Sequence, residues 1–255
     1  MNNNSDQNIN YDPTPKSLAL HSWRLFTARP LTFFLLACAA YLPGMIFTYL
    51  SMSPGGLPIY SFWAYIILPL ALMQIFLAAL VCAADSAAGN KIFSFETIMS
   101  PVISRLVDLL LILIITALIF WTLNFILGKI FLAVIKPDPS FFIFFRKLLT
   151  ALLETFFCAA LPLCLIKHRG ALASLKDSVK LTYQHAMAIF ILLAILNLGE
   201  TLIQSLAGMF AFRAFPPGFH LPSLMVSALF LAFKYVMFTV IYYDLSDWRA
   251  KSEFA

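Results

Sequence analysis

Long apolar runs alternate with short polar segments along this chain, at the spacing of membrane helices. Each apolar run has about the 20 residues that an α-helix needs to cross a bilayer. The pattern predicts an all-α, polytopic membrane protein with six transmembrane helices and short interfacial amphipathic helices. We place the six spans at residues 31–51, 59–84, 106–127, 148–166, 186–210 and 223–243.

Three shorter segments precede spans and are only partly apolar, at residues 17–29, 94–99 and 172–183. In the last of them, positions three or four residues apart form an apolar stripe: Leu172, Leu175, Val179, Tyr183 and Ala186. Four polar residues lie off this stripe, with Lys176 at its edge: Ser174, Asp177, Ser178 and Lys180. Such a helix is expected to lie flat at the membrane surface, with its stripe toward lipid. A plain connecting helix without lipid contact is the alternative.

The boundary between the fourth span and this helix carries a family resemblance. Residues 160–190 read ALPLCLIKHRGALASLKDSVKLTYQHAMAIF and resemble the YciC-like family of bacterial inner-membrane proteins. Residues 95–114 are similar to the same family, and Tyr242-Tyr243-Asp244-Leu245 resembles the membrane domain of glycerophosphodiester phosphodiesterases. The resemblance implies a multi-pass protein of the bacterial inner membrane. It implies no catalytic residues, because the family has no settled biochemical activity.

Composition agrees with the membrane class, since 62% of the 255 residues are hydrophobic and 11% are charged. The net charge of +5 would suggest nucleic acid in a soluble protein. Here the basic residues lie between apolar runs, so we expect membrane lipids as partners and no nucleic acid. A membrane-protein partner or a homo-oligomer is also possible. The four cysteines are expected to be buried small hydrophobic residues, because all lie in apolar runs and none forms a CxxC motif: Cys38, Cys82, Cys158 and Cys164.

The distribution of basic residues predicts the orientation of the chain. Eleven lie in segments that we place inside: Lys16, Arg24, Arg29, Lys91, Arg105, Lys167, Arg169, Lys176, Lys180, Arg249 and Lys251. Five lie in segments that we place outside: Lys129, Lys136, Arg146, Lys147 and Arg213. We therefore expect both termini in the cytoplasm. Residues 1–15 form a disordered cytoplasmic tail, residues 16–247 a single transmembrane helical domain, and residues 248–255 a second cytoplasmic tail.

Several local features complete the predicted topology. Ser94 has the position of an N-cap, Pro101 starts or kinks the next helix, and Arg105 can pair with Asp108 three residues later. Residues 129–145 contain Lys136-Pro137-Asp138-Pro139 and are predicted to form an exterior loop with interfacial flanks. Arg146 and Lys147 would then mark the outer boundary.

A weak internal repeat is also present. A shift of 156 residues superposes two sets of similar residues: Ser22, Arg24, Leu25, Phe34 and Leu36 on Ser178, Lys180, Leu181, Phe190 and Leu192. With the segment at Ser94 in the middle, this predicts three units, each an interfacial helix followed by two spans. Chance similarity between leucine-rich helices is the alternative.

No catalytic motif is recognisable. The four histidines are isolated and fit no metal-binding spacing, so we expect no metal and no cofactor: His21, His168, His185 and His220. Seven basic or histidine side chains at inner boundaries are predicted to contact lipid headgroups: Arg24, Arg29, Lys167, His168, Arg169, Lys176 and Lys180.

Three ionisable residues lie within spans, namely Glu154, Glu200 and Lys234. Charges at such positions are rare and suggest function, although an ion pair that holds helices together is the structural alternative. We predict that Lys234 pairs with Glu200 or Glu154. Asn124, Asn197 and Gln204 add polar groups that could line a cavity or bridge helices.

The function expected from these features is non-enzymatic. The protein would serve in cell-envelope maintenance through contacts with lipid or a partner protein. The alternative is a transporter or channel for a small solute or lipid, with Glu154, Glu200 and Lys234 along its path. A membrane-embedded enzyme acting on lipid would need a polar cluster at headgroup depth, and the sequence offers no convincing one.

Topology is testable with reporter fusions after Gly56, Lys167 and Ala255. The excess of basic residues in the proposed inner segments predicts a periplasmic signal at Gly56 and cytoplasmic signals at the other two positions. A periplasmic signal at Ala255 would contradict an even number of spans.

Overall fold

The computed structural model describes residues 14–52, 62–91, 93–134, 139–214 and 221–246, which are helical apart from short turns. Five stretches are long and apolar enough to cross a bilayer: Leu68–Ala88, Leu106–Lys129, Ile143–Ile166, Ala186–Leu206 and Pro222–Leu245. The helix pair Pro15–Ala28 and Pro30–Ile46, bent by 93°, is a sixth candidate. The predicted all-α polytopic membrane class is confirmed. Residues 1–13 and 247–255, which make up most of the two predicted tails, lie outside the described part.

The helices are α1 (Pro15–Ala28), α2 (Pro30–Met52), α3 (Phe62–Ala88), α4 (Phe95–Ser104), α5 (Leu106–Val134), α6 (Pro139–Phe157), α7 (Ala160–Ile166), α8 (Ala171–Tyr183), α9 (Ala186–Ala214) and α10 (Leu221–Leu245). Ser94 caps α4 as predicted, because its hydroxyl accepts from the Thr97 N–H at 3.1 Å. Pro30 opens α2, where its missing N–H costs nothing.

The three short helices α1, α4 and α8 lie at one end of the bundle. His21 of α1 lies 3.9 Å from Asp244 near the end of α10. Asp108 at the start of α5 accepts a hydrogen bond from the Ala171 N–H at the start of α8. Helix α4 connects the end of α3 to the start of α5 and packs against both. We call this the short-helix end.

The predicted repeat is visible in the helix boundaries. The steps from Pro15 to Ala171 and from Pro30 to Ala186 are both 156 residues, so α1–α2 and α8–α9 break at the same place. The same step pairs buried residues in five cases: Leu18 with Ser174, Ser22 with Ser178, Phe26 with Thr182, Phe33 with Ile189 and Ala37 with Leu193. Agreement of boundaries and burial is not expected from chance similarity of leucine-rich sequences. The step relates the first and third of the three predicted units, which in the structure are α1–α3, α4–α7 and α8–α10.

The units pack in a cyclic order. Each short helix packs against the last span of the unit before it: α4 against α3, α8 against α6 and α7, and α1 against α10. The first long helix of each unit also packs against the last span of the preceding unit: α5 against α3, α9 against α6, and α2 against α10. The last spans of the units form the interior, since 56% of each is buried, against 11% for α5 and 28% for α9. The bundle is thus a ring with approximate threefold order.

Small residues allow close packing at its centre. Every residue from Leu77 to Ala84 in α3 is buried, and four of the eight are alanines. A helix that is buried on all sides must approach several neighbours at once, which small side chains permit in a membrane bundle.

The fourth span is broken between α6 and α7. Pro162 has no N–H for the carbonyl of Cys158, and its ring clashes with that carbonyl in a regular helix. Helix α6 ends at Phe157, so the Phe156 carbonyl is among those that a helix end leaves without an intrahelical donor. Ser178 of α8 donates its hydroxyl to this carbonyl at 2.7 Å. The break in the second unit is thereby hydrogen-bonded to the short helix of the third unit, α8.

The predicted exterior loop at residues 129–145 is helical on both flanks, although the candidate spans end at Lys129 and begin again at Ile143. Helix α5 continues to Val134 and α6 begins at Pro139, so only residues 135–138 remain, and these are not described. The amino-acid sequence is apolar on both flanks, which favours continued helix. Helix α4 likewise runs through Pro101 to Ser104, because a proline in its middle turns removes one hydrogen bond without ending the helix.

The predicted apolar stripe of α8 is exposed at Leu172 and Tyr183, where it was expected to face lipid, and buried at Leu175. Leu172 and Tyr183 are each 72% exposed, whereas the buried face consists of Ala171, Ser174, Leu175, Ser178 and Thr182. The buried hydroxyls are satisfied, since Ser174 donates to the Arg169 carbonyl and Thr182 to the Ser178 carbonyl. Small satisfied residues let α8 approach the bundle closely, and the large apolar residues are left to the exterior.

Replacing Ser178 with Ala tests the contact between the units. The Phe156 carbonyl would lose its donor, and we expect a loss of about 1 kcal/mol in unfolding free energy. Ser178→Leu should cost more, because it also overfills a buried site. Thermal unfolding in detergent measures both. Ser205→Ala is the control, since Ser205 is exposed and donates within its own helix; equal effects at both positions would contradict the contact.

Candidate functional sites: a buried ion-pair network and a basic turn

A closed hydrogen-bonded network joins three helices in the interior. The Lys234 ammonium of α10 donates to Glu154 Oε1 of α6 at 3.0 Å and to Asn197 Oδ1 of α9 at 2.7 Å. Asn197 Nδ2 donates in turn to Glu154 Oε2 at 2.9 Å. Each member contacts the other two. The predicted pairing of Lys234 with a membrane glutamate is therefore confirmed for Glu154.

The network lies near the middle of the bundle. Lys234 is only 8% exposed, and Asn197 only 1%. Glu154 lies 11 residues after Ile143 and 12 before Ile166, so it is central in its span. In the predicted span, residues 148–166, Glu154 lies nearer the start, because the predicted span starts five residues later than the observed one. A charge at this depth is costly unless it is paired and hydrogen-bonded, and both carboxylate oxygens of Glu154 are so engaged.

Glu200 belongs to a second polar group on the side of the network away from the short-helix end. Its carboxylate lies 3.7 Å from Lys147 Nζ and accepts from Gln204 Nε2 at 3.0 Å. Gln204 also donates to Ser227, which contacts Tyr41 of α2. Glu200 makes no ion pair with Lys234 in the described residues.

Sequence reasoning missed Lys147 as the partner of Glu200. It was predicted to mark the outer boundary of the fourth span, and the earlier start of α6 instead places it within that span. The signal available was its position: Lys147 and Glu154 are seven residues apart, two helical turns on one face. Asn197 and Gln204 are also seven residues apart and lie on one face of α9. Both form hydrogen bonds to other helices, which confirms the second of the two predicted roles, bridging helices rather than lining a cavity. The Asn124 amide bonds within its own helix.

The predicted headgroup residues lie together at the short-helix end, and all seven are exposed. Lys167, His168 and Arg169 form the turn between α7 and α8, with His168 at a φ of 53°. The Lys167 ammonium lies 5.9 Å from the centre of the Tyr242 ring. Arg169 pairs with Asp177 at 3.3 Å, and Arg29 stacks over Phe93 at 4.6 Å.

The basic turn is anchored by the start of α5. The Asp108 carboxylate accepts from the Ala171 N–H at 3.0 Å and pairs with Arg105 at 3.3 Å, as predicted. Gly170 has no side chain to cap α8, so a residue 63 positions away supplies the acceptor. The negative charge also suits the positive end of the helix dipole.

Further contacts tie α10 to the other units at this end. The Tyr243 hydroxyl donates to Asp85, which also pairs with Lys91 at 2.8 Å. Cys82, Cys158 and Cys164 are buried free thiols and Cys38 is half-buried, in agreement with the sequence. Among the described residues, no three His, Cys, Asp or Glu side chains are placed to hold a metal ion.

A cavity of about 310 Å³ lies beside the basic turn, between α7, α8 and the end of α10. Lys167, Arg169, Asp177 and Ser246 supply its polar lining.

Comparison with protein-family models, curated proteins and solved structures finds no match for this chain. The geometry of these two sites is therefore the basis for a functional interpretation.

Replacing Lys234 with Met should reduce the unfolding free energy by about 3 kcal/mol, because the half-buried Glu154 would be left without its cation in the middle of a span. Adding Glu154→Gln should recover part of this loss, since the second change removes the unpaired charge. Adding Glu200→Gln instead should recover nothing, because Glu200 pairs with Lys147. Thermal unfolding in detergent distinguishes these cases, and equal rescue by both second changes would contradict the network.

Proposed function

We propose that this protein is a non-enzymatic, multi-pass protein of the bacterial inner membrane with both termini in the cytoplasm. It acts in cell-envelope maintenance by binding lipid, and partner proteins, at its cytoplasmic surface. The observation that carries the proposal is the exposed surface of the three short helices at one end of the bundle. The resemblance to the YciC-like family supports the location.

The short helices expose the residues that an interfacial helix needs. Each presents large apolar side chains: Leu20 and Trp23 in α1, Phe95 and Ile103 in α4, and Leu172 and Tyr183 in α8. Helices α1 and α8 also present basic residues, namely Arg24, Lys176 and Lys180. Apolar residues at acyl-chain depth combined with cations at headgroup depth favour an anionic membrane surface. Lipid binding at this end is thus consistent with its position and its chemistry.

The buried charges support the same proposal. Lys234, Glu154 and Asn197 satisfy one another, and Glu200 is paired with Lys147. A conduction path requires polar groups that are available to a solute. The transporter alternative, with Glu154, Glu200 and Lys234 along its path, is therefore less well supported than a structural role for these residues. The same pairing argues against their use as acid or base in an enzyme.

The test is the selectivity of retained lipid. The protein is reconstituted in nanodiscs of equal phosphatidylglycerol and phosphatidylcholine, extracted in mild detergent, and its bound lipid is quantified by mass spectrometry. We expect enrichment of phosphatidylglycerol, and a several-fold loss of enrichment in Lys176→Gln/Lys180→Gln, because each basic residue near an anionic surface contributes about 1 kcal/mol.

The matched control is Lys176→Arg/Lys180→Arg, which keeps both charges and should keep the enrichment. Absence of enrichment in the unaltered protein would contradict the proposal. So would an unchanged enrichment in the glutamine variant.

A further inference from the structure

The cavity beside the basic turn has one unbalanced positive charge. Arg169 lies 3.3 Å from Asp177, and this pair is neutral. Lys167 makes no ion pair with any carboxylate in the described residues. Its ammonium group instead makes a cation–π contact with the face of the Tyr242 ring. The Lys167 ammonium and the Arg169 guanidinium both line the cavity. An occupant that carries a single negative charge would balance it.

Hydroxyl donors lie next to this charge. Ser246 lines the cavity, and its buried hydroxyl lies within hydrogen-bond reach of the Tyr242 hydroxyl, one helical turn earlier. Two hydroxyls that bond to each other use one O–H as a donor and keep the other. The pair can therefore donate one further hydrogen bond to an acceptor in the cavity.

The remaining wall is apolar. Leu163, Leu181 and Leu245 line the cavity from α7, α8 and α10. A freely soluble anion would gain nothing from these side chains. A ligand with an anionic head and an apolar continuation would contact both parts. The volume of about 310 Å³ is within the range of ligand sites and is close to ten times the liquid volume of a water molecule.

We propose that this cavity binds the phosphodiester group of one glycerophospholipid. Lys167 provides the charge, Arg169 and the Ser246 hydroxyl provide hydrogen-bond donors, and the three leucines contact the glycerol and the start of the acyl chains. Asp177 holds the Arg169 guanidinium in position. This site rests on the proposed function, and it differs from the general attraction of the short helices in being a single, stoichiometric site.

Native mass spectrometry of the full chain, released from nanodiscs of equal phosphatidylglycerol and phosphatidylcholine, tests the site. We expect one phospholipid that stays bound at collision energies that remove all others. Lys167→Gln should reduce the fraction of protein with this lipid about tenfold, because a charge-assisted hydrogen bond is lost. Ser246→Ala should reduce it less. The matched control is Lys16→Gln, an exposed lysine of α1 that does not line the cavity, which should leave the fraction unchanged.

A charge-conserving variant and a soluble competitor distinguish a specific lipid site from misfolding and from a site for soluble phosphate. Lys167→Arg keeps the charge and should retain the lipid, which shows that loss in Lys167→Gln does not reflect misfolding. Glycerol 3-phosphate added at millimolar concentration should not displace the lipid; displacement would mean that the site takes a soluble phosphate and would overturn the proposal. Equal loss in Lys167→Gln and Lys16→Gln would overturn the site while leaving general lipid binding intact. Absence of any preference for anionic lipid would instead contradict the proposed function.

Discussion

Lys234 lies inside the bundle because Glu154 and Asn197 supply the oxygen atoms that water would otherwise provide. No water is available in the core of a bilayer, so a polar group there needs a partner from the protein. The three residues come from α10, α6 and α9, and the network therefore joins the second unit to the third. Similar contacts connect the first unit, since Tyr41 reaches Ser227 and Asp85 accepts from Tyr243. Polar contacts between units thus add specificity to a bundle whose apolar surfaces resemble lipid.

The apolar pattern predicted the class of fold and the three units, because spans and breaks are set locally by hydrophobic runs and by residues such as Pro30. It failed where burial depends on packing. The stripe containing Leu172 and Tyr183 is exposed, as a face toward lipid would be, but Leu175 of the same stripe is buried, which periodicity does not predict. In α8 the answer depended on Ser174 and Ser178, whose hydroxyls are satisfied by carbonyls and whose small size allows close approach.

The candidate sites were predictable to a similar degree. Glu154, Lys234 and the basic turn were identified because charges and basic loops are unusual in an apolar sequence. The choice between Glu154 and Glu200 as the partner of Lys234 depended on how α6, α9 and α10 are rotated, which the sequence does not fix. The cavity beside Lys167 could not be predicted at all. It arises because the end of α10 meets the turn between α7 and α8, a contact between residues far apart in the chain.

A bundle with satisfied interior charges should be dry around Glu154. Cys158 lies four residues after Glu154, at the break between α6 and α7, is buried, and can report on this region in a variant with alanine at Cys38, Cys82 and Cys164. The most direct measurement is its labelling by a small, charged methanethiosulfonate reagent in membranes opened to both sides. The account predicts no labelling of the folded protein and full labelling after denaturation in sodium dodecyl sulfate. Rapid labelling of the folded protein would reveal a water path to the network and would contradict the account.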